Sequence, residues 1–196
     1  PCDRPNLSKD YLAGTAEEAW IPLRSQKYYA RKQIDLQLRT SAMRIDTGAR
    51  TVITANGKSL PFDRLLIATG AEPVRLPIPG ADRDHVFVLR SLADSRAIIE
   101  RAQKAKSAVV IGAGFIGLET AAALRERGLD VHVVAPDARP LEKVLGPQLG
   151  DFIRSLHEEH GVAFHLGTSA IRIEPGSVAL ENGDEIAADL VIAGIG

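Results

Sequence analysis

Apolar positions recur with two different periods along the chain, and the change of period marks its elements. Val109–Ile111 is a short apolar run, and the residues from Phe115 to Arg127 repeat apolar positions at helical spacing. A second apolar run, LDVHVVA, ends at Ala135. This order predicts a βαβ unit of strand, helix and second strand.

Two further amphipathic helices are predicted on either side of this unit. Ser91 is placed to cap the first, Gly146-Pro147 opens the second, and Gly161 ends the second. The apolar face of the second helix carries four residues at helical spacing: Leu149, Phe152, Ile153 and Leu156.

Short strands are predicted in two blocks, each of which ends in an apolar run followed by glycine. The first block reads IDLQLRT, AMRID and RTVITANG with a turn at Asn56-Gly57, and continues into LLIATG at 65–70. Its run Leu65–Ala68 is predicted to be a strand buried on both faces. The second block reads VAFHLG, AIRIE, SVALENGDEI and ADLVIAGIG, with a turn at Asn182-Gly183. The chain is therefore assigned to the α/β class.

Composition narrows the function classes. The 196 residues are 45% hydrophobic with a formal charge of −1, so nothing calls for a nucleic-acid partner. Neither a run of about 20 apolar residues nor the apolar core of a signal peptide is present, so we expect no membrane contact and a cytoplasmic location. Cys2 is the single cysteine, which leaves no dithiol pair for redox chemistry and no cysteine-rich metal site.

The glycines that open the first helix carry the candidate chemistry. In a GxGxxG motif, Gly112 allows the tight turn, Gly114 lets the backbone approach a pyrophosphate, and Gly117 lets helix and strand pack closely. The free N–H groups of the helix then favour the bound anion. The alternative interpretation is a tight strand-to-helix turn without a ligand.

The end of the second strand bears on which dinucleotide binds. An acidic residue that binds a ribose hydroxyl is typical there, but Ala135 holds the place. Arg139 and Lys143 are candidates for a 2′-phosphate contact, and Asp137 for a ribose hydroxyl. The choice between NADH and NADPH stays open, with a preference for NADH because no basic residue replaces the missing acid.

Five motifs occur in a fixed order: RPNLSKDYL, FDRLLIATGAEP, VVIGAGFIGLE, ARPLEKVLG and ADLVIAGIG. On these the chain resembles the FAD-dependent pyridine nucleotide-disulfide oxidoreductases, in the ferredoxin and rubredoxin reductase branch that includes apoptosis-inducing-factor-like proteins. The resemblance implies Rossmann-like FAD- and NAD(P)-binding domains with three β/β/α layers. Residues 1–85 would be part of an FAD-binding domain and 86–196 an NAD(P)H-binding domain.

The resemblance also implies that the FAD domain is incomplete, because the FAD glycine motif of the family would precede residue 1. We therefore expect an internal fragment that is inactive alone. A narrower hypothesis is that this fragment binds NAD(H) but not FAD, and its binding of FAD stays open.

The resemblance assigns roles to residues that match the family motifs. Lys9 matches a lysine beside the flavin N5 edge, and Glu119 a glutamate that pairs with it at the flavin–nicotinamide junction. Arg90 matches an arginine on the FAD phosphates, and Ala42 a backbone contact to the adenine. The further cofactor contacts expected are Arg4, Pro5, Ala68, Thr69, Gly70, Phe115, Ile116, Ala135, Lys143, Gly194 and Ile195.

Plainer interpretations of the same residues stay open. Lys9 could be an exposed residue just inside a helix capped by Ser8, and Glu119 a carboxylate early in a helix that the dipole stabilises. The segment His157–His160 reads HEEH rather than HExxH, and is predicted to be a solvated helix face. No metal site is predicted.

The resemblance implies an oxidoreductase that passes electrons from NAD(P)H through FAD to a ferredoxin or Rieske-type iron–sulfur protein. The alternative is an NADH-sensing interaction protein with slow redox turnover, similar to the apoptosis-inducing factors. A homodimer is left open.

Overall fold

The chain divides into two units in the computed structural model, which describes residues 1–195. The first unit combines Pro1–Leu23 with Glu72–Gly196, and the second is Arg24–Ala71. The first unit therefore contains both the glycine motif and the amino-terminal segment that carries Lys9.

The described residues form helices and strands with the following bounds. The α-helices are α1 (Asp10–Ala13), α2 (Gln26–Arg31), α3 (Leu92–Ala102), α4 (Phe115–Glu126), α5 (Glu142–Leu145) and α6 (Pro147–Glu159). Short 3₁₀ helices cover Pro5–Ser8 and Glu18–Trp20. The strands are β1 (Ala42–Asp46), β2 (Thr51–Thr54), β3 (Ser59–Pro61), β4 (Val86–Val88), β5 (Ser107–Ile111), β6 (Asp130–Ala135), β7 (Val162–Leu166), β8 (Ala170–Glu174), β9 (Gly176–Leu180), β10 (Glu185–Ala188) and β11 (Leu190–Ala193).

A five-stranded parallel sheet lies at the centre of the first unit, in the order β4-β11-β5-β6-β7. Strands β8, β9 and β10 form an antiparallel meander. Alternate side chains of the parallel strands belong to different cores. Val110 packs in the core beneath α1, α3 and α4, whereas Val109 packs in the core beneath the meander. The α/β class and the three β/β/α layers are thus confirmed, as is the predicted βαβ unit β5-α4-β6.

Helix α3 begins as predicted. The Ser91 hydroxyl accepts the N–H of Asp94 and the Asp94 carboxylate accepts the N–H of Ser91, which is a capping box.

Helix α6 also begins at the predicted Pro147, but its predicted apolar face is not buried. Leu149, Phe152 and Leu156 are 51%, 63% and 41% exposed. The helix turns Gly150 inward instead, and a Cβ at Gly150 would lie 2.8 Å from the carbonyl oxygen of Pro140. This close approach sets the rotation of the helix, which the apolar spacing alone did not reveal.

The second unit is built on the antiparallel sheet β1-β2-β3. The predicted turn at Asn56-Gly57 is confirmed: Gly57 has a φ of +79° and donates its N–H to the carbonyl of Thr54 at 2.9 Å. Helix α2 begins after Ser25, whose hydroxyl accepts the N–H of Tyr28.

Two predicted strands of the second unit are wrong. Residues 34–40 and Leu65–Ala68 form no strand, and Leu66 and Ile67 are 86% and 65% exposed. An apolar run becomes a buried strand only when other strands pair with its edges, and the sheet of this unit ends at β3. The similarity of LLIATG to LVIAGIG therefore does not extend to structure, since only the latter contains a strand, β11.

No helix among the described residues is long and apolar enough to cross a membrane.

Candidate functional site

The glycine motif forms the connection between β5 and α4. Gly112 has a φ of +115°, which side chains rarely allow, and donates its N–H to the carbonyl of Val134 at 2.8 Å. A Cβ on Gly112 would lie 2.6 Å from the carbonyl oxygen of Gly194. The turn therefore requires glycine for its backbone angle and for the close approach of the segment after β11.

Gly117 and Gly114 occupy different surroundings. A Cβ on Gly117 would lie 2.1 Å from the carbonyl oxygen of Gly112, so this glycine serves helix–strand packing. A Cβ on Gly114 would meet nothing within 4 Å. Gly114 is the N-cap of α4, and no side chain caps the helix there. The open space at Gly114 and the free N–H groups of the first turn fit a dinucleotide pyrophosphate.

A groove of about 350 Å³ lies beside the first turn of α4. It is lined by residues from the amino-terminal segment, from the end of β4 and from α4: Arg4, Pro5, Leu7, Ser8, Lys9, Leu89, Arg90, Phe115, Ile116 and Glu119. Seven of these are predicted site residues, and their positions are as far as 115 residues apart in sequence. The fold thus brings together the basic side chains, the acid and the helix N-terminus.

Lys9 and Glu119 form an ion pair in this groove. The Nζ atom of Lys9 lies 3.3 Å from Oε1 of Glu119, and the side chains are 49% and 29% exposed. The hydroxyl of Ser8 donates to the other carboxylate oxygen, Oε2, at 2.6 Å. Ser8 caps no helix and Glu119 lies beyond the first turn of α4, so these parts of the plainer interpretations are wrong, whereas Lys9 is exposed, as they expected.

Hydrogen bonds from α3 and α4 hold the amino-terminal segment in place. The buried Ser95 hydroxyl donates to the carbonyl of Leu7 at 2.9 Å. The guanidinium of Arg127 donates to the carbonyl of Leu12, and burial lowers the pKa of Arg127. These contacts fix the turn that presents Lys9.

An ion pair at the surface joins the same segment to α3. The guanidinium of Arg96 contacts both carboxylate oxygens of Glu18, and the Tyr11 hydroxyl donates to Glu18 at 2.7 Å. The hydrogen bond from Arg96, followed by that from Tyr11, lowers the pKa of Glu18 to about 2. Burial and then the hydrogen bond with Glu18 raise the pKa of Tyr11.

The end of β6 carries charges that are paired with one another. Ala135 is buried, and its side chain offers no polar group. Lys143 Nζ lies 2.7 Å from Oδ1 of Asp137, which raises the pKa of Lys143. Arg139 Nε lies 2.7 Å from Oδ1 of Asp151, and Arg139 also contacts Glu142 at 3.2 Å. Both basic candidates for a 2′-phosphate are therefore bound to carboxylates.

The other predicted site residues fall in two places. Gly194 and Ile195 follow β11 beside the glycine turn, where Gly194 donates its N–H to the carbonyl of Ile111 at 2.8 Å. The remaining four belong to the second unit, with the first at the start of β1 and the others in the exposed segment without strand structure: Ala42, Ala68, Thr69 and Gly70.

Among the described residues, no three or more histidine, cysteine or carboxylate side chains lie together in a group that could hold a metal ion. Glu158, Glu159 and His160 are exposed, as predicted for a solvated helix face, whereas His157 is half-buried. Its ring nitrogens lie 3.0 Å from the carbonyl of Ile153 and 3.3 Å from that of Leu118. His132 Nδ1 lies 3.0 Å from His165 Nε2, as a pair across β6 and β7.

Sequence reasoning missed Ser8, Ser95 and Arg127, whose contacts join positions far apart in the chain. It also missed a charge difference that the sequence does contain. The second unit holds nine Lys and Arg against three Asp, a formal charge of +6, and the first unit holds 15 against 22 acids, a charge of −7. A count by segment rather than over the whole chain would have found it.

Comparison with known proteins places this arrangement in a family. The chain is 37% identical to rhodocoxin reductase of Rhodococcus erythropolis and 35% identical to rubredoxin-NAD(+) reductase of Pseudomonas putida, and the alignments cover all of this chain and 47% and 52% of those proteins. It therefore spans about half the length of these relatives.

Solved structures agree. The ferredoxin reductase for the CYP199A2 system of Rhodopseudomonas palustris matches with a TM-score of 0.93 at 34% identity, over 100% of this chain and 50% of that one. A putidaredoxin reductase in covalent complex with putidaredoxin matches with a TM-score of 0.92 at 36% identity, over 100% and 49%. The family model described as pyridine nucleotide-disulphide oxidoreductase matches residues 1–196. The chain belongs to the pyridine nucleotide-disulphide oxidoreductase family.

Proposed function

We propose that the full-length protein is a flavoprotein reductase that passes electrons from NADH through FAD to a ferredoxin or Rieske-type iron–sulfur protein. In this proposal residues 86–196 bind the nicotinamide dinucleotide and residues 1–85 supply part of the FAD site. Pro1–Leu23 packs against α3 and α4 in the first unit, although this proposal assigns it to the FAD site. The two statements are compatible, because a segment that contacts one cofactor can pack against the domain that binds the other.

One observation carries the proposal: the Lys9–Glu119 ion pair lies in a groove beside the glycine motif, with Arg4 and Arg90 on the same groove. A lysine against a dinucleotide site can balance negative charge that develops on a cofactor ring. Its paired carboxylate keeps that lysine in place. Arg4 and Arg90 suit phosphate oxygens.

When bound, NADH supplies a hydride and FAD divides the electron pair into single electrons. The chain's own residues would bind and orient the two cofactors. The N–H groups at Gly114 and in the first turn of α4 would hold the nicotinamide pyrophosphate, and Lys9, Arg4 and Arg90 on the groove would hold the flavin nucleotide. Cys2 is the one cysteine among the 196 residues, so they offer no dithiol for a disulfide step.

The charge pattern at the end of β6 favours NADH over NADPH as the donor. Asp137, Glu142 and Asp151 neutralise Lys143 and Arg139, so an added 2′-phosphate would compete with carboxylates that are already bound. Asp137 is the carboxylate within reach of the ribose position that Ala135 leaves without an acid.

The charge of the second unit supports an acidic protein as the electron acceptor. Lys27, Arg31 and Lys32 are exposed on and directly after α2, and Lys27 and Arg31 share a helix face. A unit with a formal charge of +6 attracts an acidic partner and speeds its encounter. The names of the relatives specify rubredoxin and other small redox proteins as their partners.

The proposal includes a cytoplasmic location, which the low cysteine content supports. A homodimer of the full-length protein stays a prediction, which sedimentation analysis would test.

Anaerobic mixing of the full-length, FAD-loaded protein with NADH tests the proposal. We expect bleaching of the flavin absorbance, followed by reduction of an added [2Fe–2S] ferredoxin. Bleaching without reduction of any iron–sulfur acceptor would instead favour the alternative of a nucleotide-sensing protein.

A further inference from the structure

The hydroxyl of Ser8 makes a contact that the roles of Lys9 and Glu119 do not explain. Ser8 is 6% exposed, and its Oγ lies 2.6 Å from Oε2 of Glu119 and 3.3 Å from the carbonyl oxygen of Pro5. A hydroxyl has one proton to donate. The shorter contact is to the charged acceptor, so the proton points to Glu119.

Glu119 is consequently held at both carboxylate oxygens. Oε1 faces the Lys9 ammonium at 3.3 Å, and Oε2 accepts the hydrogen bond from Ser8. Lys9 is half exposed and has a long, flexible side chain, so on its own it would fix the carboxylate poorly. Ser8 has a single side-chain torsion and is buried, which makes it the more rigid of the two partners.

The backbone that carries Ser8 is itself held by α3. Ser95, which is fully buried, donates its hydroxyl to the carbonyl of Leu7 at 2.9 Å. The turn Pro5–Ser8 is therefore held against α3, and it lies on the same groove as α4, which carries Glu119. A rigid donor on a fixed turn is what a precisely oriented carboxylate requires.

We infer that Ser8 is a positioning residue, whose buried hydroxyl fixes the Glu119 carboxylate and, through it, the Lys9 ammonium in the groove. This inference rests on the proposed function, in which Lys9 and Glu119 face the flavin–nicotinamide junction. The other charged side chains on the groove, Arg4 and Arg90, make no contact with Glu119 within ion-pair distance among the described residues.

Three variants of the full-length, FAD-loaded protein test this role: Ser8→Ala, Ser8→Thr and, as a control, Ser107→Ala. Ser107→Ala removes a hydroxyl that contacts the carboxylate of Asp189, at the end of β5 away from the glycine motif. We expect Ser8→Ala to lower the limiting rate of flavin reduction by NADH about tenfold, the loss typical of one hydrogen bond to a charged group, with the Kd of NADH unchanged. Ser8→Thr keeps the donor and restores the rate, and Ser107→Ala leaves the rate unchanged.

A double-mutant cycle with Glu119→Gln shows whether Ser8 acts through Glu119. We expect Ser8→Ala to have no further effect on the rate once Glu119 is Gln. The midpoint potential of the flavin is a readout independent of turnover, and we expect Ser8→Ala to shift it in the same direction as Glu119→Gln while Ser107→Ala leaves it unchanged.

Three outcomes would overturn this inference, and they differ in what they imply for the proposed function. If Glu119→Gln slows flavin reduction but Ser8→Ala changes neither rate nor potential, the positioning role is overturned and the proposed function stands. If Ser8→Ala and Glu119→Gln have additive effects, Ser8 does not act through Glu119. If Glu119→Gln itself has no effect on rate or potential, the proposed role of the ion pair fails, and the inference with it.

Discussion

The ammonium of Lys9 lies 3.3 Å from the carboxylate of Glu119, although the two residues belong to segments 110 positions apart. Lys9 follows a short turn of the amino-terminal segment, and Glu119 lies in the second turn of the helix that follows the glycine motif. The contact joins the part of the chain assigned to the flavin to the part assigned to the nicotinamide. Predictions about either part can therefore be tested at one groove.

Gly114 and Gly117 are expected to respond differently to alanine. A Cβ at Gly114 meets nothing within 4 Å and its φ of −83° suits alanine, so Gly114→Ala keeps the melting temperature within a few degrees. The added methyl faces the pyrophosphate position, and we expect the Kd of NADH to rise at least about tenfold, or about 1.4 kcal/mol. Calorimetric titration measures it.

Gly117→Ala is the matched variant. Its Cβ would lie 2.1 Å from the carbonyl oxygen of Gly112, so helix and strand must separate, and we expect the free energy of unfolding to fall by about 1–3 kcal/mol. Equal destabilisation by both variants would contradict the separate roles of the two glycines.

Sequence reasoning predicted those features of the fold that depend on residues close together in the chain. The spacing of Gly112, Gly114 and Gly117 after an apolar strand predicted the turn and helix correctly, because a strand, a turn and a helix that follow one another impose their own geometry. The capping box at Ser91 and the turn at Asn56-Gly57 were predictable for the same reason.

Features that depend on distant partners were not predictable. Leu65–Ala68 has the composition of a buried strand, but a strand needs neighbours, and the described chain provides none there. Ser8 precedes a helix, as a capping residue would, yet its hydroxyl binds Glu119, 111 residues away. Helix α6 was located correctly, but its rotation depends on the contact of Gly150 with Pro140 rather than on its apolar spacing.

The Arg96–Glu18 ion pair is expected to contribute to stability in a defined pH range. The pKa of Glu18 is lowered from an ordinary 4.5 to about 2. A lowered carboxyl pKa gives stability that is fully present above pH 4.5 and is lost as the pH falls through 2. We expect Arg96→Ala to make the melting temperature depend less steeply on pH between 4.5 and 2.

Glu18→Gln should reduce that slope at least as much as Arg96→Ala, because it also removes the contribution of Tyr11, and the double variant should do no more than Glu18→Gln. An unchanged slope in both single variants would show that the ion pair does not form in solution.

Charge reversal on α2 tests the proposed docking of an acidic acceptor. We expect the double variant Lys27→Glu, Arg31→Glu to raise the KM for a [2Fe–2S] ferredoxin about tenfold at low salt, and the difference to shrink as ionic strength increases. The rate of ferricyanide reduction should be unaffected, because a small ion needs no protein docking surface.

The double variant Lys104→Glu, Lys106→Glu is the control, since both lysines are exposed residues of the first unit just after α3 and the change in net charge is the same. If this variant raises the KM as much as the α2 variant does, the effect is one of net charge and not of a surface on the second unit.

The paired charges after β6 predict a preference for NADH. We expect the Kd of NADH to be at least about tenfold below that of NADPH, because Lys143 and Arg139 are bound to carboxylates. Asp137→Asn frees Lys143, so it should tighten NADPH binding and weaken NADH binding in the same titration. Asp130→Asn, at the opposite end of β6, is the control, and equal affinities of the wild type for both donors would refute the preference.

The rate at which NADH reduces the flavin tests the central claim most directly. With full-length, FAD-loaded protein in an anaerobic stopped-flow experiment, we predict rapid bleaching of the flavin in the wild type. Lys9→Met and Glu119→Gln should each slow it at least about tenfold, with the Kd of NADH changed less than twofold. Bleaching in both variants at the wild-type rate, or none in the wild type, would contradict the account.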